Sequence, residues 1–180
     1  MSSIVLSGDT SGSVTVSALA VAGTQTVTLP AASGQLMVSG NMPAFSAYTS
    51  ANQTASAATW TKVQFNNKEF DTANCYDAIT NYRFTPTVAG YYQVNIALVV
   101  GQNGSSAIQM QSAIYKNGSL YKTMLGYDAT GHFQNVSFST VMYLNGTTDY
   151  IEPYMYGSTA PFINGGNNNS AFSASLVRAA

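Results

Sequence analysis

The sequence predicts an all-β fold, a sandwich of antiparallel sheets, and three observations point there. Larger apolar residues alternate with smaller or polar ones at the period of a half-buried strand, in Tyr82 and Phe84 and again in Tyr92, Val94, Ile96 and Leu98. Turn signals recur at short intervals: Pro86 cannot donate to a ladder and Gly90 accepts positive φ, so the pair marks a corner, while Asn117-Gly118 and Asn145-Gly146 suit tight hairpin turns. Helical periodicity is essentially missing. Many short strands joined by such turns close into two packed sheets.

Taken in order, residues 1–40 form a first region and residues 41–180 a second. The first is rich in Ser, Thr, Ala, Gly and Val and nearly free of charge, with strands expected over Ser13–Leu19 and Thr24–Leu29 between the breakers Gly23, Pro30 and Gly34. A piece of about 40 residues cannot bury enough apolar surface to fold alone, so it must lean on the rest of the chain, on sister chains or on another protein. In the second region, strands are expected over Phe45–Thr49, Thr59–Phe65, Tyr82–Thr85, Tyr91–Val100, Ile108–Tyr115, Leu120–Tyr127, Phe133–Leu144, Tyr150–Tyr156 and Phe172–Arg178. Between the last two lies a long Gly/Asn-rich loop, 157–170.

Charge is the compositional anomaly. Only 7% of the 180 residues are charged, against about 25% in an average soluble protein, so the polar surface must be made of hydroxyls and amides. With 6 basic and 7 acidic residues the net charge is −1 and no basic stripe forms, which argues against nucleic acid and anionic membrane as partners. So little mutual repulsion favours association. One cysteine, Cys75, excludes an internal disulfide framework and reads as a small buried hydrophobe. The start of the chain lacks a basic signal-peptide n-region, and no apolar run approaches the roughly 20 residues of a membrane span. Assembly in a cytoplasm is expected.

The run Tyr82-Arg83-Phe84-Thr85-Pro86-Thr87-Val88-Ala89-Gly90-Tyr91-Tyr92 follows Val63-Gln64-Phe65-Asn66-Asn67, Glu69-Phe70-Asp71 and Tyr76-Asp77. It precedes Ala113-Ile114-Tyr115-Lys116-Asn117-Gly118, Leu144-Asn145-Gly146 with Asp149-Tyr150-Ile151, and Ala171-Phe172-Ser173-Ala174-Ser175-Leu176-Val177. In that order the segments resemble the C1q/tumour-necrosis-factor family over residues 43–180. The resemblance implies a jelly-roll sandwich with a short β-rich N-terminal extension, and a homotrimer packed about an axis through Tyr92, Val94, Phe172 and Leu176. Residues 1–40 resemble the small β modules of bacteriophage fibre proteins. Together these likenesses imply a bacteriophage virion protein: a fibre knob presenting C1q-like heads to a host-surface glycan, or alternatively a capsid or tail decoration that stabilises the particle. In either case, residues 1–40 would grip another virion protein.

An enzyme is not expected. His132 has no partners suited to acid–base or nucleophilic work, and Asp71 and Asp77 suit the capping of backbone N–H groups at corners. Asp149 and Glu152 offer carboxylate oxygens, but too few for a calcium site, so neither metal nor cofactor is expected. Most tyrosines fall on strands, as core or interface residues. The candidate ligand surface is Tyr154 and Tyr156, whose rings can stack on a sugar, with Asn164, Asn167, Asn168 and Asn169 supplying amides for its hydroxyls.

Overall fold

The alternating segments become strands in the computed structural model, which describes residues 3–18, 20–21, 23–24, 26, 37–38, 40, 42–102, 108–128, 133–166 and 168–180. The chain divides into two compact units, 1–34 and 35–180. In the first, β1 (Ser3–Ser7) and β2 (Ser13–Ser17) pair antiparallel, Ser3 opposite Ser17 and Ser7 opposite Ser13. Gly8 N–H donates to the Gly12 carbonyl at 2.9 Å across the turn. Both faces of this ribbon are open, with Ile4, Val5, Leu6, Val14 and Val16 all exposed. The strand expected at Thr24–Leu29 lies largely outside the described residues.

The second unit contains β3 (Ala44–Tyr48), β4 (Gln53–Thr54), β5 (Thr61–Lys62), β6 (Asn67–Asp71), β7 (Tyr76–Asp77), β8 (Arg83–Phe84), β9 (Gly90–Ala97) and β10 (Val99–Gln102). These are followed by β11 (Ile108–Lys116), β12 (Ser119–Asp128), β13 (Gln134–Asn135), β14 (Phe138–Leu144), β15 (Ile151–Gly157), β16 (Pro161–Ile163) and β17 (Ala171–Ala179). One large sheet runs β14-β9-β17-β3-β6; the other runs β12-β11-β15-β8-β7, with β5 also on β15. A smaller sheet, β13-β10-β16-β4, extends one end. Every pairing is antiparallel.

The core lies between the two large sheets, where alternate side chains of each strand meet. Phe45 stacks on Tyr76 and on Phe84, ring centroids 4.6 Å apart in both cases, and meets Phe172 edge-on at 5.1 Å. The buried tyrosines still satisfy their hydroxyls: Tyr76 donates to the Phe65 carbonyl and Tyr92 to the Val88 carbonyl. This packing corrects the expected trimer contacts. Tyr92, Val94 and Phe172 have no exposed surface and Leu176 only 5%, so they face the opposite sheet of their own chain and leave nothing for a sister copy to touch.

Other departures have local causes. Gly90 does not turn the chain with positive φ; it is buried in β9, where a Cβ would come within 2.5 Å of the Arg178 carbonyl oxygen, so it permits close approach of β17. Asn117 and Gly118 do both take positive φ, 53° and 77°, at the β11–β12 turn. The expected strand Thr59–Phe65 shortens to β5, whose partner β15 contains Pro153. That proline accepts from Val63 N–H at 2.8 Å but has no N–H to return, so the ladder cannot continue.

Candidate functional site

Strand β15 buries Ile151, Pro153 and Met155 on one face and therefore turns Tyr154 and Tyr156 outward. On its flank β11 places Tyr115 on the same outer face, and just before β5 comes Trp60. The four rings touch: Tyr115 stacks on Tyr154 at 3.9 Å, while Trp60 lies 5.4 Å from Tyr156 and 6.1 Å from Tyr115. All four are half-buried. Ala113, between Tyr115 and Gln111 on that outward row and opposite Tyr154, has no exposed surface; the rings roof it over. The result is an aromatic shelf on a sheet face that would ordinarily be polar.

The rim of the shelf is polar on the β5 side and apolar on the β12 side, where Leu125 stands opposite Gln111 and Leu120 opposite Tyr115. Lys62 Nζ sits 2.5 Å from Glu152 Oε1 and also donates to the Asn81 carbonyl, so its charge is matched. Gln111, opposite Tyr156, accepts from Thr123 Oγ1 at 3.3 Å. Burial pushes the phenols of Tyr115 and Tyr154 up, the latter helped by the neighbouring Glu152 carboxylate. Both rings stay neutral at physiological pH.

The asparagine loop does not join this shelf. It is an excursion between β16 and β17, and among the described residues its hydrogen bonds to the rest of the chain run to Thr49, Asn52 and Val99, not to either tyrosine. Gly165 N–H donates to Asn52 Oδ1, Gly166 N–H to the Thr49 carbonyl and Asn164 N–H to the Val99 carbonyl. Ser170 closes the neck, accepting from Val99 N–H and donating to the Asn164 carbonyl. Asn169 spends its amide on the Gly165 carbonyl, Asn168 is exposed, and Asn167 lies outside the described residues. The expected constellation of tyrosines and asparagines therefore separates, because β15 carries the rings on a different sheet from the strands that hold the loop.

A second concavity, a cleft of about 480 Å³, is lined by Lys68, Asn74, Asp77, Ile79, Asn81 and Arg83 among others. Its ionic groups are engaged: Lys68 pairs with Asp71, and the Arg83 guanidinium lies 4.4 Å over the Tyr150 ring. Asp77 accepts from three backbone N–H groups and the Asn81 amide, the corner-capping role expected of it. Asp71 likewise accepts from Cys75 and Tyr76 N–H. Asp149 and Glu152 are held by Lys116 and Lys62 respectively, and among the described residues no three His, Cys, Asp or Glu side chains converge as metal ligands. His132 lies outside the described residues.

Sequence reasoning named Tyr154 and Tyr156 and did not place Trp60, which lies beside Tyr156. The outward alternation of Trp60 and Lys62 was the available signal; the pairing of β5 with β15 was not readable.

No family model and no curated protein matches the chain. Solved structures do. The globular domain of zebrafish complement 1qA is similar at TM-score 0.54 and 18% identity, over 77% of this chain and 99% of that one. Murine APRIL at pH 5.0 is similar at 0.57 and 9% identity, over 76% and 99% of the two chains. Eiger TNF from S. frugiperda gives 0.56 and 8%, over 77% and 93%. With its two large antiparallel sheets, the second unit has the C1q/TNF-like jelly-roll fold.

Proposed function

We propose that the protein is a non-catalytic, homotrimeric attachment head of a bacteriophage virion, tethered through residues 1–40 to another virion protein and presenting its outer face to a host-surface glycan. One observation carries the trimer: the open side of the sandwich. There the two edge strands β12 and β14 expose Leu120, Tyr121, Met124, Leu125 and Tyr127, and Val141 and Tyr143. Strand β12 approaches the chain leading into β14, since a Cβ on Gly126 would meet Val136 Cγ1 at 2.9 Å. A long unpaired apolar edge of this kind is unstable against association unless a partner covers it. Sister copies are the partner proposed here, and three weakly binding heads held together gain avidity without new contacts.

The tether is supported by the β1–β2 ribbon, which has apolar side chains on both faces and too few strands to be independently stable. The virion setting is further supported by the sparsely charged composition, with its surface of hydroxyls and amides.

Light scattering of the purified chain tests the assembly. A trimer is expected, and the double variant Leu125→Asp/Tyr127→Asp is expected to run as a folded monomer. A monomeric parent chain overturns the reading. Labelled antibody on intact particles tests the location: a head should decorate the tip of a fibre, whereas even cover over the capsid favours a decoration protein.

A further inference from the structure

We propose that the shelf of Trp60, Tyr115, Tyr154 and Tyr156 is a docking site for a neutral saccharide, with a pyranose ring laid on the exposed ring faces. The inference deepens the attachment reading and rests on it.

Three features of the shelf select this ligand chemistry. The first is a preorganised apolar surface. Each ring is braced by at least one other, at 3.9 to 6.1 Å, so little side-chain freedom remains to be lost when a ligand settles. Half-burial leaves part of each residue open to solvent, and the face of an aromatic ring suits the C–H face of a pyranose.

The second feature is charge. Lys62, opposite Tyr154 on the neighbouring strand, is the shelf's cation, and it is held by Glu152 at 2.5 Å and by the Asn81 carbonyl. The shelf therefore offers no unmatched charge to an acidic sugar, a phosphate or a charged peptide, and a neutral ligand meets no uncompensated ion on docking. The third is the polar rim. Gln111 stands opposite Tyr156 with its oxygen 3.3 Å from Thr123 Oγ1, a hydroxyl whose single proton also has the Ser112 carbonyl at 3.0 Å, and it brings an amide within reach of a ligand hydroxyl. On the β5 side the floor is edged by hydrogen-bonding groups, and on the far side of β11 it meets Leu120 and Leu125 of β12; a sugar laid between Tyr156 and Gln111 engages the polar side, which a hydrophobic protein surface would leave unsatisfied.

The chain contains a single tryptophan, so intrinsic tryptophan emission reads the shelf and nothing else. The full-length protein is titrated with maltotriose, cellotriose and lactose, and with sialyllactose as the charged counterpart. A saturable change in emission with at least one neutral sugar is expected. Tyr156→Ala, which leaves Trp60 in place, should weaken that sugar by about tenfold, the scale of one lost ring contact. Tyr154→Leu, which keeps apolar bulk without the ring, should weaken it similarly and guards against collapse of the first variant; circular dichroism checks that both are folded.

The proposal is overturned if no neutral sugar in millimolar excess moves the emission, if sialyllactose alone binds, or if both ring variants bind like the parent. Adsorption of the purified head to cells of the phage's host separates this failure from that of the attachment reading. Adsorption with no sugar response sinks the shelf and leaves attachment standing. A sugar response with no adsorption sinks attachment and leaves the shelf.

Discussion

A single carboxylate can hold a corner of this fold in shape, and Asp77 does so with both oxygens. Oδ1 accepts from Ile79 and Thr80 N–H at 2.9 Å, and Oδ2 from Asn81 N–H and its side-chain amide at 3.1 and 2.7 Å. Those bonds, led by the Thr80 and Ile79 N–H groups, hold its carboxyl well below the usual carboxylate range. For Asp149 burial works the other way, but the Asn117 amide, the Lys116 ammonium and Asn145 N–H outweigh it and the carboxyl is again lowered. A carboxylate with a depressed folded-state pKa lends stability that is complete above its unfolded value, about 4, and lost as pH falls below it. The thermal midpoint should therefore drop on acidification from about pH 4 downward. In Asp77→Asn/Asp149→Asn the midpoint should be lower at neutral pH and its acid limb flatter; parallel limbs for parent and variant would refute the assignment. These capping roles were partly legible, because Asp beside turn residues has a local explanation. The place of Tyr92, Val94, Phe172 and Leu176 was not. Alternation says which side chains share a face, but a core face and an interface face are equally apolar.

Turns and strands differ in how openly the chain declares them. The Asn117-Gly118 turn was legible because only left-handed backbone closes so short a hairpin, and both residues adopt it. Gly118→Ala should destabilise the fold by about 1–2 kcal/mol, the cost of a Cβ in that conformation, as read by urea denaturation. No loss would mean that the turn relaxes freely. Strand β6, by contrast, was invisible. Its Asn67-Lys68-Glu69 start has poor strand propensity, and it forms because the edge of β3 supplies a ladder, Tyr48 opposite Asn67 and Phe45 opposite Asp71. Strand β16 was hidden for a related reason: it opens on a proline, yet Gly101 and Phe162 pair beside it. By alternation alone, Tyr91–Val100 and Phe133–Leu144 each read as a single strand. The ladder between them is interrupted near Leu98 and resumes without a slip, Phe138 opposite Ile96 and Asn135 opposite Val99.

For the whole molecule, among the described residues the hydrophobic core and the residues packed on it run from Met37 to Leu176, within the second unit. The chain truncated to residues 35–180 should melt cooperatively within a few degrees of the full-length protein by circular dichroism. Loss of a cooperative transition would show that the extension is part of the folding unit. The sandwich was legible at this scale because alternation and turns are local. The shelf was not, since it needs Trp60, Tyr115 and Tyr154 brought together by the order of β5, β15 and β11, which no short window encodes.

The clasp at Ser170 has an evolutionary corollary. Because the strands on either side of the asparagine excursion are fastened to two consecutive strands, β16 to β10 and β17 to β9, and the neck is tied by Ser170 and Asn52, the segment around Asn168 can lengthen or change its lettering while the scaffold beneath keeps its register. A fold built this way can diversify one patch of its exterior, generation by generation, at little risk to its folding.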